Sequence, residues 1–253
     1  MSEKKVLTSA EALDVLNEGV GDSNDKNEFT YLKSGDQYTV KVPGINMVSE
    51  YVYGSFAKKI NSFIAKEASK KSAKGFPVEN LTPFDKAWKH FKDKSEDWQD
   101  ENSQEAGHYR CQRKFTFGFY DLDSGNPIMV EFTRNQANAI VSAIKKYEER
   151  LDKFAFELSK QGSGTSTTVS LSIIPMLEDL TDKQKANFDK LPNDFDTGNF
   201  NGLYYEADEA EQLELLTQAG FDITLIGYGK DEAKTDAGQA DSVADIEDSQ
   251  LPF

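Results

Sequence analysis

The chain has 253 residues, 38% of them apolar, with a net charge of -15 and a single cysteine. This length fits one large domain or one domain with appendages, and it can bury a real core. The single Cys111 excludes an internal disulfide and fits a reducing cytoplasm. The sequence has no apolar run of roughly 18 residues, which excludes a transmembrane helix, and its amphipathic start argues against a secretory signal. We therefore expect a cytoplasmic protein that does not enter a membrane.

The charge is distributed unevenly along the chain. Residues 29–94 contain 12 Lys and Arg against 6 Asp and Glu, a net charge of +6. Residues 201–253 contain 2 against 13, a net charge of -11. This asymmetry is typical of a binding domain with an acidic tail, so the negative total does not exclude a nucleic-acid partner.

The first third combines one clear strand pattern with a segment that has no period. Thr8 and Glu11 predict a capped helix near the start, followed by a polar linker to residue 28. Residues 29–42 predict a bent strand, or a strand–turn–strand, that Pro43-Gly44 ends. Residues 45–80 show no clear periodicity and predict an irregular surface segment. A helix near 56–68 is possible within it.

The middle of the chain is more regular. Thr82-Pro83 predicts the start of a helix that runs to about Trp98, and residues 99–107 predict an acidic loop. Residues 108–120 predict a strand, because three phenylalanines alternate with polar residues, and residues 128–132 predict its hairpin partner.

A second helix–hairpin unit follows, and then a helical end. Thr133 and Gln136 predict the cap of a helix whose apolar residues follow the 3.6-residue period to Leu151. Residues 154–158 and 167–173 predict a long hairpin. Further elements are predicted in the last part: helices from Thr181 and over 208–220, and a short strand over 223–226.

These elements predict a β-rich α+β fold. Strand, hairpin, helix and hairpin in this order are compatible with an OB-like five-stranded barrel that carries an inserted segment and added helices. We divide the chain into an N-terminal helix and linker (1–28), an OB-like domain (29–228) and an acidic tail (229–253). The tail has almost no apolar residues before Leu251 and is predicted to be disordered.

The same domain contains candidate residues for binding single-stranded nucleic acid, which requires cations for phosphates and aromatic faces for bases. The candidates are Tyr31, Lys33, Lys41, Tyr51, Tyr53, Phe56, Lys58, Lys59, Arg110, Arg113 and Lys114. The alternative is that the aromatic residues fill a core and the lysines form an ordinary solvated surface. That alternative is favoured for Phe115, Phe117 and Phe119, whose alternation is regular.

The end of the tail carries a candidate partner-binding motif, formed by Asp248, Leu251, Pro252 and Phe253. An apolar pair, a bend and a carboxylate after acidic sequence would suit a partner pocket that is rimmed by basic residues. The acidic tail could also compete with DNA for the protein's own binding surface. A purely solubilising tail explains the acidic residues but not the apolar tip.

Residues 247–253 resemble the acidic Ile/Leu-Pro-Phe tip of bacterial single-stranded-DNA-binding proteins. The body resembles the single-stranded-DNA-binding proteins of tailed phages of Gram-positive bacteria, over residues 31–36, 82–88, 119–125, 132–136, 146–151 and 158–164. This resemblance implies an OB fold and sequence-independent coating of exposed strands during phage replication or recombination in the host cytoplasm. It also implies that the tail contacts replication or recombination proteins.

No metal site or catalytic motif is expected. His108 and Cys111 have a ligand-like spacing, but structural zinc needs four ligands and the chain has only one other histidine. In this respect the chain departs from relatives of the phage T4 type, which use zinc. Turn chemistry explains the acidic pair Asp121 and Asp123. We expect a protein that is not an enzyme and needs no cofactor.

Two other function classes stay open. An acidic DNA mimic would bind a host or phage DNA-processing protein, although the basic block and the terminal position of the acid argue against it. A metal-dependent nuclease would use acidic pairs to bind Mg²⁺.

Overall fold

The computed structural model describes residues 27–229. The predicted N-terminal helix and the acidic tail after Gly229 lie outside this range. In chain order, the strands are β1 (Gln37–Lys41), β2 (Met47–Ser55), β3 (Ile60–Ala65), β4 (Lys70–Lys71), β5 (Pro77–Glu79), β6 (Gln112–Asp121), β7 (Pro127–Phe132), β8 (Ala155–Gln161), β9 (Thr168–Ile174) and β10 (Tyr205–Ala207). The α-helices are α1 (Pro83–Lys92), α2 (Glu101–Gly107), α3 (Arg134–Lys146), α4 (Asp182–Lys190) and α5 (Glu209–Gln218).

Eight of the strands form one sheet in the order β10-β3-β2-β6-β1-β8-β9, and β7 pairs with the other edge of β6. The remaining two strands, β4 and β5, form a separate hairpin. The pair β10–β3 is parallel, and the other pairs of the sheet are antiparallel. The fold is therefore a mixed α/β fold around a large sheet. Across residues 27–229, the pairings follow this path without closing a five-stranded barrel.

Strands β1 and β2 are two halves of one bent strand along β6. Lys41 pairs with Tyr120, and Met47 pairs with Phe117. Between these two pairs the chain advances six residues on the bent strand but only three on β6. The extra residues form a bulge at Pro43-Gly44, where Gly44 has a φ of +121° that favours glycine. The predicted bend is therefore present, but the chain continues past it as β2.

A first core lies between the sheet and α3. Phe117, Phe119 and Phe156 are fully buried there, together with Ile140 and Ile144 of the helix. The helix begins at Thr133, where the predicted capping box with Gln136 is present. The predicted hairpins β6–β7 and β8–β9 are confirmed, and their inward residues supply the rest of this core.

A second core lies at the other end of the sheet, under α1, α2 and α5. Its large side chains are mostly aromatic: Tyr53, Phe63, Phe84, Trp88, Tyr109 and Phe221. Helix α1 begins at Thr82, as predicted, with a capping box to Asp85. It ends at Lys92, however, rather than near Trp98.

The prediction for residues 45–80 was wrong, because this segment contains β2, β3 and the β4–β5 hairpin, and no helix lies at 56–68. The alternation is obscured because Val52 and Tyr53 are both buried although they are consecutive. The helices that pack on this region come from later parts of the chain, which local periodicity cannot show.

Two smaller predictions also differ from the structure, and one strand was missed. The expected acidic loop contains α2, which Asp100 caps by accepting a hydrogen bond from the Ser103 amide. The expected strand at 223–226 is a 3₁₀ turn. Strand β10 was not predicted, because its three residues are defined only by pairing with β3.

The first prediction concerns Gly118 in the centre of β6. A Cβ atom at this position would lie 2.3 Å from ring atoms of Phe195. We expect Gly118→Ala to lower the free energy of unfolding by about 1–3 kcal/mol, because the ring must move out of a packed site. Urea denaturation measures the change.

Gly107→Ala is the matched control, because a Cβ atom there would meet nothing within 4 Å and the residue ends a helix. It should leave the stability unchanged or slightly higher. Equal stability of the two variants would contradict the proposed contact.

Candidate nucleic-acid interface

The pairing of β2 with β6 places an arginine over two aromatic rings. Tyr51 pairs with Arg113, and Ser49 pairs with Phe115. The guanidinium carbon of Arg113 lies 5.7 Å from the Tyr51 ring centre and 5.6 Å from that of Phe115. Its Nη2 donates a hydrogen bond of 3.0 Å to the Ser49 hydroxyl. Arg113 is exposed, so this cation is oriented by the protein and still open to a ligand.

A second arginine, Arg110, lies just before β6 and packs on the turn between β4 and β5. The Arg110 guanidinium carbon lies 4.7 Å from the ring centre of Phe76, which stacks on Trp88 at 5.8 Å. The neighbouring Gly75 packs on the Tyr51 ring, since a Cβ atom there would lie 3.4 Å from it. We define the arginine–aromatic surface as Tyr51, Phe76, Arg110, Arg113 and Phe115.

Behind this surface lies a buried polar network around Asp85. The Tyr53 hydroxyl donates to Asp85 Oδ1 at 2.9 Å, the Lys71 ammonium lies 3.1 Å from the same oxygen, and the Ser69 hydroxyl donates to Oδ2. Burial, together with the Asp85 charge, raises the pKa of Tyr53. Tyr53 is therefore a core residue whose ring is not available for stacking on a base.

A groove lies at the tip of the β2–β3 hairpin and brings together Tyr31, Phe56 and Lys59. Its volume is about 920 Å³. Phe56 is 101% exposed and Tyr31 is 77% exposed, so both side chains are largely open to solvent. The groove is lined by Phe29, Tyr31, Gly54, Ser55, Phe56, Ala57, Lys59, Ile60, Asn61, Ser62, Leu203 and Tyr204. We call this the hairpin-tip groove.

One wall of the hairpin-tip groove is held in place by a polar chain. The Tyr204 hydroxyl donates to Glu131 at 2.6 Å, and the Lys114 ammonium pairs with the same carboxylate at 3.1 Å. The Phe29 ring meets the Tyr204 ring edge-on at 4.7 Å. Burial and the hydrogen bond to Glu131 raise the pKa of Tyr204. The predicted contact residue Lys114 thus supports this wall, and Glu131 neutralises its charge.

Lys41, another predicted contact, is buried and serves the fold. Its ammonium donates to the carbonyl oxygens of Phe188 and Leu191, at 2.9 Å and 2.6 Å, and lies over the Phe188 ring. These carbonyls belong to the end of α4 and would otherwise lack partners. Burial lowers the pKa of Lys41. A nucleic-acid strand bound at the protein surface cannot reach this ammonium.

The other two predicted lysines lie outside both surfaces. Lys58 pairs with Glu105 at 2.5 Å and lies over the Tyr109 ring. Lys33 is exposed in the turn before β1, where its amide donates to the Asp36 carboxylate.

Six of the predicted contacts lie in these two places: Tyr51, Arg110 and Arg113 in the arginine–aromatic surface, and Tyr31, Phe56 and Lys59 in the hairpin-tip groove. The two places lie on opposite faces of the sheet, because side chains alternate along β6: Arg113 lies over Tyr51, whereas the next residue, Lys114, supports the groove wall. The predicted contacts did not include Phe29, Phe76, Leu203 and Tyr204. The lysines near Phe76 in the sequence are a signal that could have identified it. Tyr204 has no such signal, because only the tertiary fold brings it to the groove.

The remaining predicted sites give no further candidate. The tail residues Asp248, Leu251, Pro252 and Phe253 lie outside the described range. Within residues 27–229, no three His, Cys, Asp or Glu side chains are grouped so that they could hold a metal ion. His108 Nδ1 instead lies 3.0 Å from the Ser55 hydroxyl, and Cys111 is buried. The same range contains no helix that is both long and apolar enough to cross a membrane.

No family model matches the chain, and neither a curated protein nor a solved structure matches it. The described residues define a mixed α/β protein whose large sheet carries an exposed arginine–aromatic surface and an aromatic groove at a hairpin tip.

The second prediction tests whether Lys41 acts in folding or in binding. Lys41→Met keeps the apolar stem but removes the donor to two carbonyls. We expect the free energy of unfolding to fall by about 1–3 kcal/mol, because buried acceptors lose their partner. Oligo-dT affinity should not change at a temperature where the variant is folded.

The exposed Lys33→Met serves as the control, and its stability should equal that of the unaltered protein. A Lys41 variant of full stability with weakened DNA binding would reverse this assignment.

Proposed function

We propose that the protein binds single-stranded DNA without sequence preference, in phage DNA replication or recombination in the host cytoplasm. The arginine–aromatic surface carries this proposal. Sequence-independent binding needs cations for phosphates and π-faces for bases, and this surface offers both within one patch. In this proposal the protein acts by binding alone, without catalysis and without a cofactor.

The geometry of the two arginines suits this role. Arginine stacks on flat groups and donates in a fork that matches phosphate oxygens, which lysine does not do. Arg110 and Arg113 are each held over a ring by contacts within the protein. Both guanidinium groups are exposed and already ordered, so binding a ligand carries a reduced entropic cost. Two nitrogens of Arg113, Nε and Nη2, donate to the Ser49 hydroxyl in the unbound protein.

We also propose that the sheet is an elaborated OB-like fold. The bent strand β1–β2 pairs along β6, with β8 and β3 on its other edge. OB folds bind strands across such a sheet face. On this interpretation, the β4–β5 hairpin and the helices of the second core are insertions that border the binding face.

The acidic tail completes the proposal, on sequence evidence alone. Residues 230–253 contain seven Asp and Glu against two Lys and end in Leu-Pro-Phe. We propose that this segment recruits replication or recombination proteins through its tip and competes with DNA for the arginines.

The third prediction is a titration of labelled oligo-dT of about 25 nucleotides, longer than the roughly 4–16 that one OB fold covers. Affinity should fall steeply with salt, because phosphate contacts release counterions. Arg113→Gln should weaken binding several-fold and reduce the slope of log K against log salt by about 0.7, the share of one phosphate contact. Fluorescence anisotropy at a series of salt concentrations measures both.

Arg150→Gln is the charge-matched control on an exposed turn outside both surfaces, and it should leave the affinity nearly unchanged. A protein that does not bind oligo-dT at low salt refutes the proposal. If that protein instead captured a DNA-processing enzyme, the acidic DNA-mimic function would be favoured.

The fourth prediction concerns the tail. Deleting residues 230–253 should strengthen oligo-dT binding at low salt, because a competing polyanion is removed. The gain should shrink as salt rises. A control that lacks only Leu251, Pro252 and Phe253 should keep most of the competition, because it retains the acidic residues. Unchanged affinity after the full deletion would exclude self-competition.

A further inference from the structure

We infer that a bound single strand passes around the tip of the β2–β3 hairpin and places one base in the hairpin-tip groove, between Tyr31 and Phe56. This inference rests on the proposed function and extends it, since it names a second contact and the path that joins it to the first.

The exposure of the two rings indicates a missing partner. A phenylalanine at a hairpin tip with no contact to its own protein leaves its whole apolar surface in water, which is unfavourable. Tyr31 comes from the segment before β1, far from Phe56 in the sequence, yet both rings line one groove. A flat apolar group between them would cover both faces at once.

The shape of the groove indicates a preformed site. The Lys114–Glu131–Tyr204 chain holds one wall, and Phe29 packs against it. Its volume of about 920 Å³ lies in the range of ordinary ligand sites. Gly54 lets β2 approach β3 closely beside the groove, because a Cβ atom there would lie 3.2 Å from the backbone of Ser62.

The charge of the groove favours a nucleotide. Its lining residues include Lys59 and no carboxylate side chain. Lys59 has a φ of +56°, a left-handed conformation that is unfavourable for a residue with a side chain. Strained residues of this kind cluster at functional sites. Aromatic rings, the Asn61 amide and a cation together match a base joined to a phosphate.

The distance between the two surfaces sets the length of DNA that can use both. Tyr51 and Phe56 are five residues apart, which is about 17 Å along a strand. At a spacing of about 3.4 Å per stacked nucleotide, this corresponds to roughly five nucleotides. Because the surfaces lie on opposite faces of β2, the strand must bend around the hairpin tip to contact both.

The fifth prediction tests this path with the full-length chain and the oligo-dT of the preceding titration. Phe56→Ala and Tyr31→Ala should each weaken binding about fivefold or more, the loss expected when one stacked base loses its platform. Trp98→Ala is the matched control, an exposed aromatic residue outside the groove lining, and it should bind like the unaltered protein. Thermal unfolding should be unchanged in all three, because none of these rings is in a core.

Two further measurements identify the occupant. Lys59→Asn keeps a residue that tolerates the left-handed conformation, and it should reduce the salt slope by about 0.7. Oligonucleotides with 5-iodo-deoxyuridine should cross-link on irradiation to Tyr31 or Phe56, as located by mass spectrometry of the peptides.

The outcomes separate this inference from the proposed function. If Arg113→Gln weakens binding while Phe56→Ala, Tyr31→Ala and cross-linking show no effect, the strand does not enter the groove, and the proposed function stands without it. If Phe56→Ala strengthens DNA binding, the groove holds a competing segment of the chain, which overturns the inference. If no oligonucleotide binds, both proposals fail.

Discussion

The carboxylate of Asp85 joins three segments that are distant in the sequence. It accepts hydrogen bonds from Tyr53 on β2 and from Ser69 before β4, and it pairs with Lys71 on β4. A buried carboxylate that lost these partners would be strongly unfavourable, so the segments stay together. The turn at Gly75 and Phe76 is thereby held against Tyr51, and the position of the arginine–aromatic surface depends on this network.

Strand β6 connects this local arrangement to the rest of the fold. One half of it places Phe117 and Phe119 in the first core, while the other half carries Arg113 beside β2. The Arg113 part of the candidate interface therefore lies between the two cores, where β6 pairs with β2. A side chain on paired strands is held more rigidly than one on a loop, which suits the ordered placement of Arg113.

The distribution of charge explains how an acidic protein can offer a basic surface. The positive block at residues 29–94 is not one patch, because several of its lysines are already engaged. Lys71 pairs with Asp85, Lys58 with Glu105, and Lys41 binds two carbonyls. Among the predicted contacts, the cations that face solvent over aromatic rings are Arg110 and Arg113, which follow this block in the chain. Charge counted along a sequence thus overstates the charge that a ligand would meet.

The sequence by itself determined those elements whose signals are local. Thr82 and Thr133 predicted the starts of two helices, since a cap is made within four residues. The regular alternation of phenylalanines predicted β6 and the burial of Phe117 and Phe119, whereas Phe115 is only half-buried and belongs to the arginine–aromatic surface. Tyr31, Phe56 and Arg113 were named from composition alone, and all three line the surfaces described above.

Only the tertiary structure decided the features that depend on contacts between distant segments. Residues 45–80 form strands because β6 and later helices cover them, and Tyr53 is buried because Asp85 comes to lie beside it. The separation of the arginine–aromatic surface from the groove, and the arrival of Tyr204 at the groove, likewise depend on contacts between residues 62 to 175 positions apart. Burial is a property of the packed chain, so no local pattern could have distinguished a lysine that binds a carbonyl from one that faces water.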